Sequence, residues 1–235
     1  MRRIAILIVL LALSTFLVGC GQKTEPTSPP APATQTYISP PAPKVQSTDF
    51  VNLKEYIPTV EVELIYFTEN NFTKQKLYDN PTAYLRKGTA DKLKKVAEEV
   101  AGRGYRLKIW DAYRPPRIQF KMWEAFPDSR YVANPHKGFS FHSRGCAIDL
   151  TLVNSNGIAL DMPSAFDEFS LKANRDYSDV SPIQSANARY LEEVMVKQGF
   201  RSIQTEWWHF VDADEENYDV AQDDVLPKVP AVPSN

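Results

Sequence analysis

The chain has 235 residues, 43% of them hydrophobic and 24% charged, with 9 Gly, 18 Pro and 2 Cys. That balance suits one globular domain large enough to fold around its own core, and it excludes collagen-like, wholly disordered and multi-span membrane classes. The 27 basic and 29 acidic residues leave a formal charge of −2 and no basic field to attract nucleic acid.

At the amino terminus, Met1-Arg2-Arg3 precedes an apolar run from Ile4 to Val18. The run is about 15 residues, short of the roughly 20 that a helix needs to cross hydrocarbon, and residues 1–19 read as a secretory signal peptide. Leu17-Val18-Gly19-Cys20 resembles a bacterial lipobox, whose cysteine is acylated and becomes the first residue of the mature chain. On that reading Cys20 carries lipid. The mature charge is then −4, because Arg2 and Arg3 leave and 25 basic residues face 29 acidic ones. Membrane attachment would rest on acyl chains, with no polybasic patch to help. The expected address is the cell envelope, on the extracytoplasmic side of a membrane. With Cys20 acylated, Cys146 has no partner and is expected as a small buried residue.

Residues 20–48 follow as a linker: Gln22 to Thr48 holds seven of the 18 prolines and almost no large apolar side chain, so it cannot bury enough to fold. The folded part is expected over residues 49–226, ahead of a Pro-rich tail at 227–235. Within it, Val60 to Phe67 has strand character. Thr89 to Arg103 reads as an amphipathic helix with Thr89 as N-cap, since Leu93, Val96, Ala97 and Val100 fall on one face. A strand over Tyr105 to Asp111 is followed by a helix from Arg117 to Phe126, after Pro115-Pro116 breaks the chain. Cys146 to Val153 and Trp207 to Val211 have strand composition, and Asn187 to Gln198 repeats the helical pattern. These elements show no regular βαβ alternation. They predict an α+β domain with a small, mainly antiparallel central sheet flanked by helices.

The chain has three histidines, His136, His142 and His209. His136 lies in a polar stretch beside Pro135 and reads as an exposed loop residue. A strand beginning near Gly145 places Ala147, Asp149 and Thr151 on one face, where Asp149 can meet His142 from the preceding turn, while a second strand brings in His209. Two imidazoles and a carboxylate are a usual ligand set for a catalytic zinc. Glu206, three residues before His209, can stand beside such a metal as a proton acceptor without binding it. On spacing alone, a His with an Asp seven residues on is as often structural as metal-binding.

The pattern Ser140-x-His142-x-x-Gly145-x-Ala147-x-Asp149 with Glu206-x-x-His209 resembles the zinc D-Ala-D-Ala dipeptidases of the vancomycin-resistance type, the VanX-like family, within a wider group of D,D-peptidases sharing the hedgehog fold. Tyr66 with Asn70-Asn71-Phe72, Trp110-Asp111-Ala112-Tyr113-Arg114-Pro115, and Met162 to Phe169 with Phe166-Asp167 resemble further segments of the same family. Together they run from about residue 60 to 211. The resemblance implies one Zn2+ per subunit on His142, Asp149 and His209, with Glu206 as general base. It also implies that Arg114 stabilises the oxyanion with Asp111 fixing its guanidinium, and that Asp167, with Ser140 and Tyr66, meets the ammonium end of a small D-amino-acid dipeptide.

The bland readings are an ion pair to Asp111 for Arg114, a helix N-cap for Asp167, a turn residue for Ser140 and a core aromatic for Tyr66. Trp207 and Trp208 read as pocket wall and core. Two departures stand out: Pro163 follows Met162 where the family has Gly, and Cys146 replaces a smaller residue. The implied reaction is hydrolysis of D-Ala-D-Ala outside the cytoplasmic membrane, in cell-wall peptide metabolism. A peptidoglycan D,D-carboxypeptidase or endopeptidase, and a non-catalytic lipoprotein that binds wall fragments, are the alternatives.

Overall fold

The computed structural model describes residues 49–223 and 226. The signal segment, Cys20, the linker and the tail lie outside the described residues. No helix among the described residues is long and apolar enough to cross a membrane.

Among the described residues seven strands and four helices alternate irregularly. They are β1 (Phe50–Asn52), α1 (Leu53–Tyr56), β2 (Glu61–Val62), β3 (Tyr84–Arg86), α2 (Lys87–Ala101), β4 (Tyr105–Asp111), α3 (Pro116–Ala125), β5 (Ala147–Asn154), α4 (Pro182–Lys197), β6 (Phe200–Ile203) and β7 (Glu206–Asp212). The main sheet has the order β2-β4-β5-β7-β6, parallel between β2 and β4 and antiparallel elsewhere, and β1 pairs with β3 in a separate two-stranded ribbon. The domain is α+β with a mainly antiparallel sheet, as its composition implies.

Several boundaries move, each for a local reason. Helix α2 begins at Lys87 and no side chain caps it; Thr89 lies inside it, where its hydroxyl donates to Asp212 across the core. Helix α4 begins five residues before the apolar pattern, because Ser181 and Gln184 form a capping box with Pro182 in the first turn. The stretch from Val60 to Phe67 is a strand only at residues 61–62; Ile65–Phe67 is a 3-10 turn. Apolar pattern sees a helix's buried stripe and not its ends.

Helices α2 and α4 pack on each other and on the sheet, burying Leu93, Val96, Ala97 and Val100 from one and Ala188, Leu191, Val194 and Met195 from the other. On the sheet Leu107 and Ile109 pair with Leu152 and Leu150, so these four side chains share one face. Between Ile109 and Asp111 the β4 register slips by one residue, a bulge at Trp110, and Asp111 comes to lie opposite Asp149. Without that bulge Asp111 would point with Leu107 and Ile109 into the core.

Candidate active site

The bulge, the β5–β7 ladder and one short turn assemble the site. Asp149 on β5 is directly opposite His209 on β7, so their side chains stand side by side on one sheet face. His142 enters from a 3-10 turn at Phe141–Arg144, in which the His142 amide itself donates to the Ser140 hydroxyl at 3.2 Å and which ends on Gly145 with φ +74°. At Gly145 a Cβ would stand 2.4 Å from the Phe50 ring, so the turn needs glycine both for its left-handed backbone and for its close approach to β1.

Donor atoms of His142, Asp149 and His209 lie within 4.8 Å of one another, and all three residues are buried. His142 Nδ1 donates to the Ala112 carbonyl at 2.7 Å, which turns Nε2 toward the cluster. From Nε2 it is 3.2 Å to His209 Nδ1 and 3.3 Å to Asp149 Oδ2, while Asp149 Oδ1 lies 2.9 Å from His209 Nδ1. A tetrahedron with bonds of about 2.0 Å has edges of about 3.3 Å. The donor set therefore fits one small dication. Burial works to raise the Asp149 carboxyl, but the imidazoles of His142 and His209 outweigh it and hold Asp149 well below the usual carboxylate range.

Glu206 opens β7 and stands next to the cluster, with its carboxylate 3.9 Å from His209 Nδ1. Burial, reinforced by Asp149 and Asp167, pushes it up to about 7; a bound dication would draw it back down. Arg114 is buried rather than superficial. Its Nε and Nη2 fork onto Asp111 Oδ2 at 3.0 and 2.6 Å, and Nη1 donates to Gln119 Oε1 at 2.9 Å. Nη2 is 4.0 Å from Asp149 Oδ2, so the guanidinium borders the donor cluster. Asp111 also accepts from the Tyr78 hydroxyl and the Ala112 amide.

Asp167 starts no helix. It sits at φ +56° and its Oδ2 accepts the Tyr66 hydroxyl at 2.8 Å. Burial pushes it up to about 7, with Asp149 and Asp111 adding to the rise. Tyr66 is both core and site: it is 2% exposed, packs edge-on against Phe72, Tyr78 and Phe166, and presents its hydroxyl to Asp167. Ser140, Tyr66, Arg114, His142, Asp149, Asp167, Glu206 and His209 all line one cavity of about 250 Å³. Asp111 stands behind it. Trp207 and Trp208 are core, as is the buried thiol of Cys146, and His136 is exposed in its loop.

Two participants escaped the sequence reading. Tyr78 has no motif around it. Gln119 had one available cue: Pro115-Pro116 starts α3, which puts the fourth residue after Pro115 on the turn that faces Arg114.

A family model described as Peptidase_M15, D-ala-D-ala dipeptidase, matches residues 46–229. The curated D-alanyl-D-alanine dipeptidase of Escherichia coli K12 is 38% identical over 164 residues, covering 70% of this chain and 84% of that one. The protein of the same name from Enterococcus faecium is 33% identical over 187 residues, covering 71% and 92%. Among solved structures, the LD-carboxypeptidase LdcB aligns at 23% identity with a TM-score of 0.41, over 70% of this chain and 68% of that one.

Proposed function

The chain belongs to the peptidase M15 family of D-Ala-D-Ala dipeptidases, and on that premise we propose that it hydrolyses D-Ala-D-Ala to two D-alanines with one zinc ion held by His142, Asp149 and His209. One observation carries the reading: a buried triad of donors and the non-ligating Glu206 share a cavity of about 250 Å³. Pockets for drug-sized ligands run to roughly 300–1,000 Å³, so this one suits a very small substrate.

Zinc bound there supplies Lewis-acid chemistry for a carbonyl and a water. The protein's own groups do the rest. Glu206 accepts the proton of the attacking water and returns it to the leaving amine, a task for a carboxylate that stands beside the metal site without belonging to it. Arg114, fixed by Asp111 and Gln119, faces the carbonyl oxygen as negative charge develops on it, and it needs no reorganisation to do so. Asp167, held by Tyr66, meets the free ammonium, whose charge favours the ionised carboxylate. Ser140 completes that wall. The lipobox-like Leu17-Val18-Gly19-Cys20 supports a lipid-anchored enzyme on the extracytoplasmic side of a membrane, where D-Ala-D-Ala comes from wall material.

The test is release of D-alanine by the zinc-loaded protein from D-Ala-D-Ala and, in parallel, from a peptide of stem length. Glu206-dependent cleavage of the dipeptide that spares the longer peptide is the expected result. Cleavage of the stem alone would reassign the protein to wall trimming, and binding without cleavage would make it a carrier of wall fragments.

A further inference from the structure

Strands β6 and β7 pair Ser202 with Phe210 and then Ile203 with Glu206, so Trp207, Trp208 and His209 have no partner on β6. This irregular stretch is the one that joins the general base to the metal ligand. Unpaired carbonyls in a buried strand need donors from elsewhere. Arg175, two residues beyond the 3-10 turn at Leu171–Ala173, provides them. Its Nη2 donates to the carbonyls of Trp207 at 2.9 Å and His209 at 3.1 Å, and its Nε to that of Ile203 at 2.8 Å. Its backbone amide donates to Gln204 in the β6–β7 turn at 2.9 Å. The side chain is 4% exposed, and its charge is met by Glu192 of α4 at 3.5 Å. Glu192 is itself fixed by the Ser202 hydroxyl at 2.6 Å.

We propose that Arg175 is a positioning residue for the Glu206–His209 pair, its guanidinium standing in for the strand partner that β7 lacks. A planar fork aims its donors at both strands in fixed directions, whereas an ammonium is a compact point charge on a flexible stem. The guanidinium thus holds both ends of the bulged segment in one register and sets how far the base stands from the metal ligand.

This inference rests on the reading of His142, Asp149 and His209 as a metal site, and for its kinetic part on the dipeptidase activity as well. The experiment compares Arg175→Met and Arg175→Lys with the parent and with Leu191→Ala, a core change in α4 away from the site. Thermal melts give stability, cobalt(II) titration gives metal affinity and the visible spectrum of the ligand field, and D-Ala-D-Ala hydrolysis gives kcat and KM. The expected result for Arg175→Met is an altered cobalt spectrum, with metal affinity and kcat each lower by about 10–100-fold, as for other residues that orient metal ligands. KM should stay within threefold of the parent. Arg175→Lys should fall between, and Leu191→Ala should lose thermal stability with an unchanged spectrum and kcat. If Arg175→Met does not fold, Arg175→Lys carries the same comparison. A parental cobalt spectrum and parental kcat in the folded Arg175 variant would overturn the proposal. If the parent itself leaves the dipeptide uncut, the peptidase reading fails while the cobalt spectra still decide the role of Arg175.

Discussion

Asp149 and His209 face each other directly across β5 and β7, with Oδ1 and Nδ1 2.9 Å apart. A metal bound there would be shared by two adjacent strands, and removing it should loosen their pairing. A ligand at 100 times its Kd stabilises the fold by about 2.7 kcal/mol. Chelation is expected to lower the melting temperature, and added zinc to restore it. In His142→Ala and Asp149→Ala the melt should no longer respond to zinc.

Glu206 touches the cluster without belonging to it, so the base can be removed while the metal stays. Glu206→Gln should bind zinc as the parent does, by equilibrium dialysis, and lose about 10²–10⁴-fold in kcat. Near-parental turnover would remove Glu206 from the mechanism.

Arg114 and Asp111 form a buried pair, 10% and 0% exposed in their side chains. Breaking such a pair leaves a charge without its partner, at a cost of about 3–5 kcal/mol. Arg114→Ala should show that loss in urea unfolding. Arg114→Lys keeps the charge but not the fork, so a smaller stability loss is expected, together with a kcat drop of about 10²–10³-fold if the guanidinium serves the oxyanion.

Burial, helped by Asp212 and Glu215, pushes the Cys146 thiol up to about 12. An unfolded cysteine titrates near about 8.5. The folded value is the higher one, so this thiol contributes stability that is fully present below pH 8.5 and is lost as pH rises toward 12. In a Cys20→Ser background, the native protein should resist thiol reagents at pH 8 and react once unfolded. Cys146→Ala should flatten the decline in stability between pH 8.5 and 10.

Gly145 has φ +74°, and a Cβ there would press on the Phe50 ring. The left-handed backbone alone costs an L-residue about 1–2 kcal/mol. Gly145→Ala should lose at least that much in urea unfolding, and zinc affinity should fall with it because His142 sits on the same turn.

How much of this was legible depended on the kind of information involved. The β5 strand carrying Asp149 and the helix interiors are written as local periodicity, and the sequence shows them. The convergence of His142, Asp149 and His209 is a matter of strand pairing over 60 residues or more, which spacing leaves open and which the family pattern suggests. Tyr78, Gln119 and Arg175 act on backbone or on other side chains, so their residue types carry no mark of the chemistry. Thr89 looks like an N-cap, which points to a helix start three residues inside α2, whereas its hydroxyl donates to Asp212.

The slip at Trp110 makes residue number, and not only residue identity, a component of the site. Many side chains could occupy that position, since what it contributes is one extra step along the strand. A deletion there would preserve every functional residue in the chain and still turn Asp111 away from Arg114 into the aliphatic core. Variation in this segment should consequently be tolerant of exchange and intolerant of insertion or loss, a constraint on length that no inspection of amino-acid type would reveal.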